Sequence, residues 1–369
     1  MKAKIKSNHE PLIHIAKKTP VQGWRAMLVR AGAIVAALLV CGILTVFLTD
    51  LNPISVYSSL IVGAIGTPRR IWVLLHDLAI LLCISLAVTP AFKMKFWNIG
   101  AEGQALVGGL ATAACAMFLG NSLPPHFLIP VMLIASIVAG AIWGLIPSIF
   151  KALWGTNETL FTLMMNYIAI QLVSYFCFVF SVPKGSGRLE PINEKFWLPV
   201  IGDNDYLFNI LFVLVLTVVM YIYLKYSKQG YEISVVGESV NTATYIGINV
   251  KKVIIRTMVI SGAICGIAGF LLVAGANHTV ADNTIGGRGF TAIMVSWLAK
   301  FNPFSMILTS LLIAFLDRGA IEIATQHKLN DSFSEIITGI IIFFIIGSEF
   351  FINYSVKFRK SEKKEAKNK

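Results

Sequence analysis

Nine apolar runs near twenty residues long divide the sequence, at about 29–49, 71–91, 99–119, 126–147, 158–180, 207–226, 254–276, 303–324 and 333–354, with a shorter run at 289–300. A helix rises 1.5 Å per residue, so about twenty apolar residues match the ~30 Å hydrocarbon core of a bilayer. Charged residues are 14% of the 369 and hydrophobic residues 56%, against about 25% charged in a soluble domain. The fold this predicts is an all-α integral membrane protein of about ten transmembrane helices. The short eighth run is expected to be broken or re-entrant. Residues 31–49 are too long and too far from the first residue for a signal peptide, and lack a small-residue cleavage site, so they read as a retained first span.

The net charge of +12 is unevenly placed. Seven Lys/Arg fall in residues 1–30 and seven in 357–369, while the spans between are nearly bare. These clusters suit cytoplasmic anchors facing an anionic leaflet better than a nucleic-acid surface. With both termini inside, 23 of the 31 Lys/Arg fall on the cytoplasmic side and 8 on the other, among them Arg69, Arg70, Arg288 and Arg318. Residues 181–206 then form an external loop and residues 227–253 an internal segment, in which Ser239–Tyr245, bounded by Gly237 and Gly247, is expected to make a short helix suited to docking a soluble partner.

Three polar groupings interrupt the hydrocarbon. Trp97, Asn98, Glu102 and Gln104 stand at the head of the third run, with Asn98 and Glu102 spaced to share a helix face. An ionised Glu102 at that depth needs a partner, a helix N-terminus or water, and a broken helix end is the leading expectation for it. Asn157 or Thr156 can cap the fifth run with Glu158 in its first turn, while Thr162 and Asn166 lie deeper on one face. His76 and Asp77 sit within the second run, and Asn277, Asp282, Asn283 and Arg288 precede the eighth, at its expected external mouth. Small residues supply the remaining signal: Gly262-x-x-x-Gly266 in the seventh run, and Gly103, Gly108, Gly109, Ala113 and Ala114 in the third, predict close helix packing.

Enzyme chemistry has no support. The five cysteines lie in or beside apolar runs without a C-x-x-C pair, the six histidines show no H-x-x-x-H spacing, and no metal site, cofactor site or catalytic set is expected. None of the lysines followed by Ser or Thr (Lys6, Lys18, Lys360) is preceded by Gly, so the chain lacks a Walker A loop and any ATP-driven engine must be another polypeptide.

Four stretches carry a family resemblance over roughly residues 30–355. Asn98-Ile99-Gly100-Ala101-Glu102-Gly103-Gln104 resembles the N-I-G-x-E-G-Q signature of membrane subunits of ABC importers in the ribose/branched-chain-amino-acid permease superfamily. Asn157-Glu158-Thr159 through Asn166-Tyr167-Ile168-Ala169 is similar to a segment of its nucleoside and simple-sugar branch. Gly237 through Ile248 resembles the cytoplasmic coupling segment, and Gly287-Arg288-Gly289-Phe290 the opening of the eighth segment. After that opening the chain departs from the family pattern, placing Trp297 and Lys300 where a glycine-containing run is usual.

The resemblance implies a type II-like ABC importer permease with an internal pseudo-repeat. Its domains would be a basic cytoplasmic segment (1–28), a transmembrane permease domain (29–354) and a basic cytoplasmic tail (355–369). Its setting would be a prokaryotic plasma membrane. Implied partners are ATP-binding subunits, a second, paralogous permease and an extracytoplasmic substrate-binding lipoprotein. Nucleosides are the favoured cargo; a simple sugar carried by the same machinery, or an ion-coupled transporter titrating Asp77 and Glu102, are the alternatives. Substrate-path residues would be Asn98, Glu102, Gln104, Thr162, Asn166, Trp97 and Phe161, Asn98 foremost, with Trp297 a further stacking candidate. Coupling to the ATPase would fall to Gly237, Glu238, Asn241, Ala243, Tyr245 and Gly247.

Overall fold

The structure, a computed structural model, describes residues 13–17, 23–49, 52–182, 189–202 and 204–358. In chain order these form β1 (Ile13–Lys17), α1 (Gly23–Thr49), α2 (Pro53–Ile65), α3 (Pro68–Lys93), α4 (Ala101–Leu119), α5 (Pro125–Trp154), α6 (Glu158–Phe180), α7 (Leu207–Tyr226), α8 (Lys228–Glu238), α9 (Val240–Tyr245), α10 (Val250–Leu272), α11 (Arg288–Leu298), α12 (Pro303–His327), α13 (Asp331–Asn353) and β2 (Tyr354–Phe358). Among the described residues, eight helices are long and apolar enough to cross a membrane: α1, α3, α4, α5, α6, α7, α12, and α10 with the π-turn that follows it. The chain is a multi-pass, almost entirely helical membrane protein.

Every expected apolar run is helical, including the short eighth, which is the eleven-residue α11. The thirteen-residue α2 was not anticipated, being too short to span and bounded by Pro53 and Pro68. The expected N-terminal and C-terminal tails contribute one antiparallel strand pair, Ile13 opposite Phe358; residues 1–12, 18–22 and 359–369 lie outside the described residues, as do Lys184 and Arg188 of the expected external loop.

The chain divides into two compact units, residues 1–63 with 319–369, and residues 64–318. In the first, Tyr57 of α2 donates to the Leu38 carbonyl of α1, Arg30 pairs with Glu349 through Nε at 2.8 Å, and Ser59 meets His327 Nε2 at 3.1 Å.

The second unit is organised around α3 and α10. From Leu78 to Phe92 every residue of α3 is buried, the pattern of a helix surrounded by others. The small residues of α4, α5 and α10 meet one another. A Cβ on Gly266 would strike the Ser136 carbonyl of α5, one on Gly262 the Gly140 carbonyl, and one on Gly269 the Ala105 carbonyl of α4. Between helices in lipid, backbone contact of this kind is what small residues permit.

The described part of the loop after α6 folds back on this unit. Leu189, Phe196 and Leu198 are buried, the Ile192 and Leu198 amides donate to His278 and Ala274 carbonyls, and the Trp197 ring stacks on His278 with centroids 3.6 Å apart.

Candidate functional site

The site begins where α3 stops. Its last turn closes on Lys95, at φ 61, with the Lys95 amide donating to Phe92 and the Phe96 amide to Ala91. A left-handed residue here is usually glycine. The same ending recurs after α11, where Lys300 stands at φ 51 and the Phe301 amide reaches back to Ser296. Two Lys-Phe endings with one hydrogen-bond pattern are a local echo of the kind a pseudo-repeat implies.

Beyond Phe96, which is buried, residues 97–100 run without helix to the start of α4 at Ala101. Asn98 therefore lies outside α4, and the helix face it was expected to share with Glu102 does not form. Instead its amide organises the link. Oδ1 accepts from the Gly100 amide (3.0 Å) and from Gln104 Nε2 (3.2 Å), while Nδ2 donates to Ser261 of α10 (3.2 Å) and to Gln104 Oε1 (3.3 Å). Asn98 and Gln104 are both fully buried, so these bonds replace water that the site excludes.

Helix α6 holds the link from the side. Asn157 caps the helix by accepting from the Leu160 amide (3.2 Å), and Glu158 pairs with Lys151 at 2.8 Å. One turn deeper, Thr162 Oγ1 accepts from the Ile99 amide (3.1 Å). Asn166 donates to the Ile99 carbonyl (2.8 Å) and accepts from the Gly103 amide (2.9 Å). Gly100 of the link and Gly103 in the first turn of α4 permit this approach: a Cβ on Gly103 would lie 2.9 Å from Asn166 Oδ1, and one on Gly100 would lie 3.2 Å from the Thr162 carbonyl.

Glu102 closes the joint on its third side. Its carboxylate accepts from the Gly287 amide (2.8 Å) and the Gly289 amide (2.7 Å), the opening turn of α11. A carboxylate at a helix N-terminus satisfies donors the helix cannot and opposes the positive end of its dipole. Gly287 sits at φ 76, where glycine is the natural residue, and a Cβ on Gly289 would come within 2.7 Å of Glu102 Cα. Three of the four motifs, separated by up to 187 residues, are thus one piece of structure.

The neighbouring charges are balanced. Asp77 of α3, buried, meets Arg288 Nη2 at 3.1 Å and also pairs with Arg318 of α12, with His76 Nδ1 at 3.8 Å. Arg288, expected at an external mouth, turns to this buried carboxylate. The two carboxylates of the ion-coupled alternative are thereby engaged separately, Asp77 by guanidinium groups and Glu102 by backbone amides.

The aromatic candidates part company. Trp97 and Trp297 stack at 5.7 Å, both about half exposed, with Phe92 edge-on to each. Phe161 instead packs against Phe150 of α5 at 4.9 Å.

The fourth motif packs on the residues just before that link. Ser239 caps α9 by accepting from the Thr242 amide (3.2 Å). Ala243 is buried in an apolar cluster with Ala91, Met94 and Phe96, and a Cβ on Gly237 would strike the Lys93 carbonyl. Tyr245 is 92% exposed, and Glu238, Asn241 and Gly247 are also exposed. The unanticipated α8 precedes it, capped by Ser227 on the Gly230 amide (2.9 Å).

The site is thus a set of buried polar groups that ties an eleven-residue helix to helices long and apolar enough to cross a membrane. The family model described as "branched-chain amino acid transport system / permease component" matches residues 71–346, and the chain belongs to that family of membrane permeases of ABC transporters. Among relatives, it is 29% identical over 306 residues to the nucleoside ABC transporter permease protein NupB of Lactococcus lactis, covering 80% of this chain and 84% of that one. It is 28% identical over 328 residues to the guanosine ABC transporter permease protein NupP of Bacillus subtilis, covering 87% and 92%. It is also 28% identical over 362 residues to the glucose ABC transporter permease protein TsgB13 of Haloferax volcanii, covering 93% of each.

Proposed function

We propose that this chain is the membrane-spanning half of an ATP-driven importer whose cargo is a nucleoside. Its partners are ATP-binding subunits, a second paralogous permease and an extracytoplasmic binding lipoprotein, in a prokaryotic plasma membrane with both termini cytoplasmic. The observation that carries the coupling is the division of α9 into two faces. Ala243 is buried in the same apolar cluster as Phe96, two residues from Asn98, while Tyr245 stands exposed to meet a partner. A push on Tyr245 is delivered through that cluster to the link between α3 and α4, and from Glu102 to α11.

In this reading Asn98, Glu102, Gln104, Thr162 and Asn166 position the path, because their polar atoms already have protein partners. The exposed faces of Trp97 and Trp297 are the surfaces open to a nucleobase. The printed activities of two relatives favour a nucleoside, and the glucose permease keeps a sugar as the second reading.

Tyr245→Asp tests the coupling. It changes one exposed side chain, so the assembled complex should keep its subunits and its ATP hydrolysis while uptake of labelled guanosine falls at least about tenfold, the loss expected when a desolvated aromatic anchor becomes a charge. Full uptake by the variant would place the docking surface elsewhere. In the parent protein, excess unlabelled nucleoside should suppress uptake and excess glucose should not; the reverse order would favour the sugar.

A further inference from the structure

Away from the joint, a polar cavity of about 290 Å³ opens where α8 and α10 both begin. It is lined by Lys228, Gln229, Glu232, Asn249, Lys252 and Arg256, with Val253 at its base. Three cations face one carboxylate. Glu232 Oε2 is taken by Arg256 Nη2 at 2.8 Å, which leaves Lys228 and Lys252, both exposed, uncompensated within the cavity. The Asn249 and Ser227 side chains cap the two helices, so their N-terminal ends, with partial positive charge, converge on the same space. The volume is about ten times the ~30 Å³ a water molecule occupies in the liquid.

The cavity also lies at a defined depth. Helix α7 ends at Tyr226, and Lys225 Nζ donates to Tyr221 (2.8 Å) and lies 5.3 Å from the Tyr226 ring centroid. Tyrosines and a lysine closing an apolar span mark a membrane–water interface, the level at which lipid phosphates lie. Lys228 follows two residues later.

We propose that this cavity binds a phosphate group, held by Lys228 and Lys252 between the N-terminal ends of α8 and α10. The chemistry is shared by the headgroup of an anionic lipid and by free phosphate, and the depth of the cavity favours the lipid. An acidic segment of a partner protein is the competing occupant.

The test uses the full chain in detergent, with native mass spectrometry and thermal melting. Phosphatidylglycerol, phosphatidylcholine and inorganic phosphate are the probes, and Lys228→Ala/Lys252→Ala is the variant. Both lysines are exposed, so the variant should melt like the parent without lipid. The parent should retain phosphatidylglycerol and melt higher with it, but not with phosphatidylcholine. The variant should bind phosphatidylglycerol about thirtyfold more weakly, the loss of two juxtamembrane cations. If inorganic phosphate alone binds the parent and not the variant, the site stands and its source is the free anion. If the variant retains phosphatidylglycerol as the parent does and neither binds phosphate, the proposal fails. It also fails if the variant's only loss is of the ATP-binding partner, which would assign the cavity to an acidic protein segment. Should the variant not fold, Lys228→Gln/Lys252→Gln supplies the second test: it keeps most of the side-chain length, removes both charges, and must still weaken phosphatidylglycerol.

Discussion

Gly266→Leu is expected to abolish the folded protein, the largest effect of any substitution considered. Gly266 of α10 lies close to both α5 and α4: a Cβ on it would strike the Ser136 carbonyl, and a Cβ on Gly108 would meet Gly266 Cα at 2.5 Å. Overpacking a core ordinarily costs about 1–3 kcal/mol because side chains can shift. Here the obstructing atoms are α5 backbone, Ser136 and Ile137, so α5 and α10 must separate and the contacts of Gly262 with Gly140 are lost with them. The measurement is the yield of monodisperse protein after size exclusion in detergent, with Gly339→Leu as control, since a Cβ there meets nothing within 4 Å. Wild-type yield and melting behaviour for Gly266→Leu would mean that α4, α5 and α10 do not cross at these glycines.

The second large effect is expected from Glu102→Ala. It strips the partner from the Gly287 and Gly289 amides at once, in a buried setting where an unsatisfied donor costs about 1–3 kcal/mol. Residues far from α11 retain their contacts, so the protein should still insert and purify, with a lowered melting temperature. The loss should fall on α11: transport below about a tenth of the parent, and new protease or thiol-labelling access at residues 286–290. Glu102→Gln keeps one acceptor oxygen but presents an amide N–H to the other backbone donor, so it should resemble alanine more than wild type. If Glu102→Gln transports normally, hydrogen bonding at this cap is not what positions the helix.

The course of the chain through the bilayer was largely legible because hydrocarbon demands one thing of a long segment, an unbroken apolar helix. Two short helices, α2 and α8, were not. α2 has thirteen residues between prolines, and α8 mixes Lys228, Glu232 and two glycines into its eleven, so neither has the length or periodicity that announces a helix. The terminations at Lys95 and Lys300 were hidden for a different reason: the left-handed residue is a lysine at both, and tertiary contacts around Phe96 and Ser296 select it over the glycine that sequence rules expect.

For the site, residue types were legible and partnerships were not. Glu102 at a broken helix end follows from the cost of a lone charge in lipid, yet nothing local names Gly287 and Gly289 as its donors. The i, i+4 spacing of Asn98 and Glu102 predicts a shared face only if a helix begins at 98 or before. The helix begins at Ala101, and the amide is spent on Gly100, Gln104 and Ser261. Spacing along the chain reports neighbours within an element. The joint is made from α4, α6, α10 and α11, whose approach depends on glycines that serve several helices at once.

Reconstituted uptake tests the central claim most directly. Proteoliposomes containing this chain, its second permease and its ATP-binding subunits should accumulate labelled guanosine from the binding lipoprotein only when ATP reaches the ATP-binding side. Accumulation should persist with an uncoupler and stop when the nucleotide-loop lysine of the ATPase is replaced by alanine. Uptake by this chain alone, indifferent to ATP and abolished by the uncoupler, would contradict the account and assign the energy to an ion gradient.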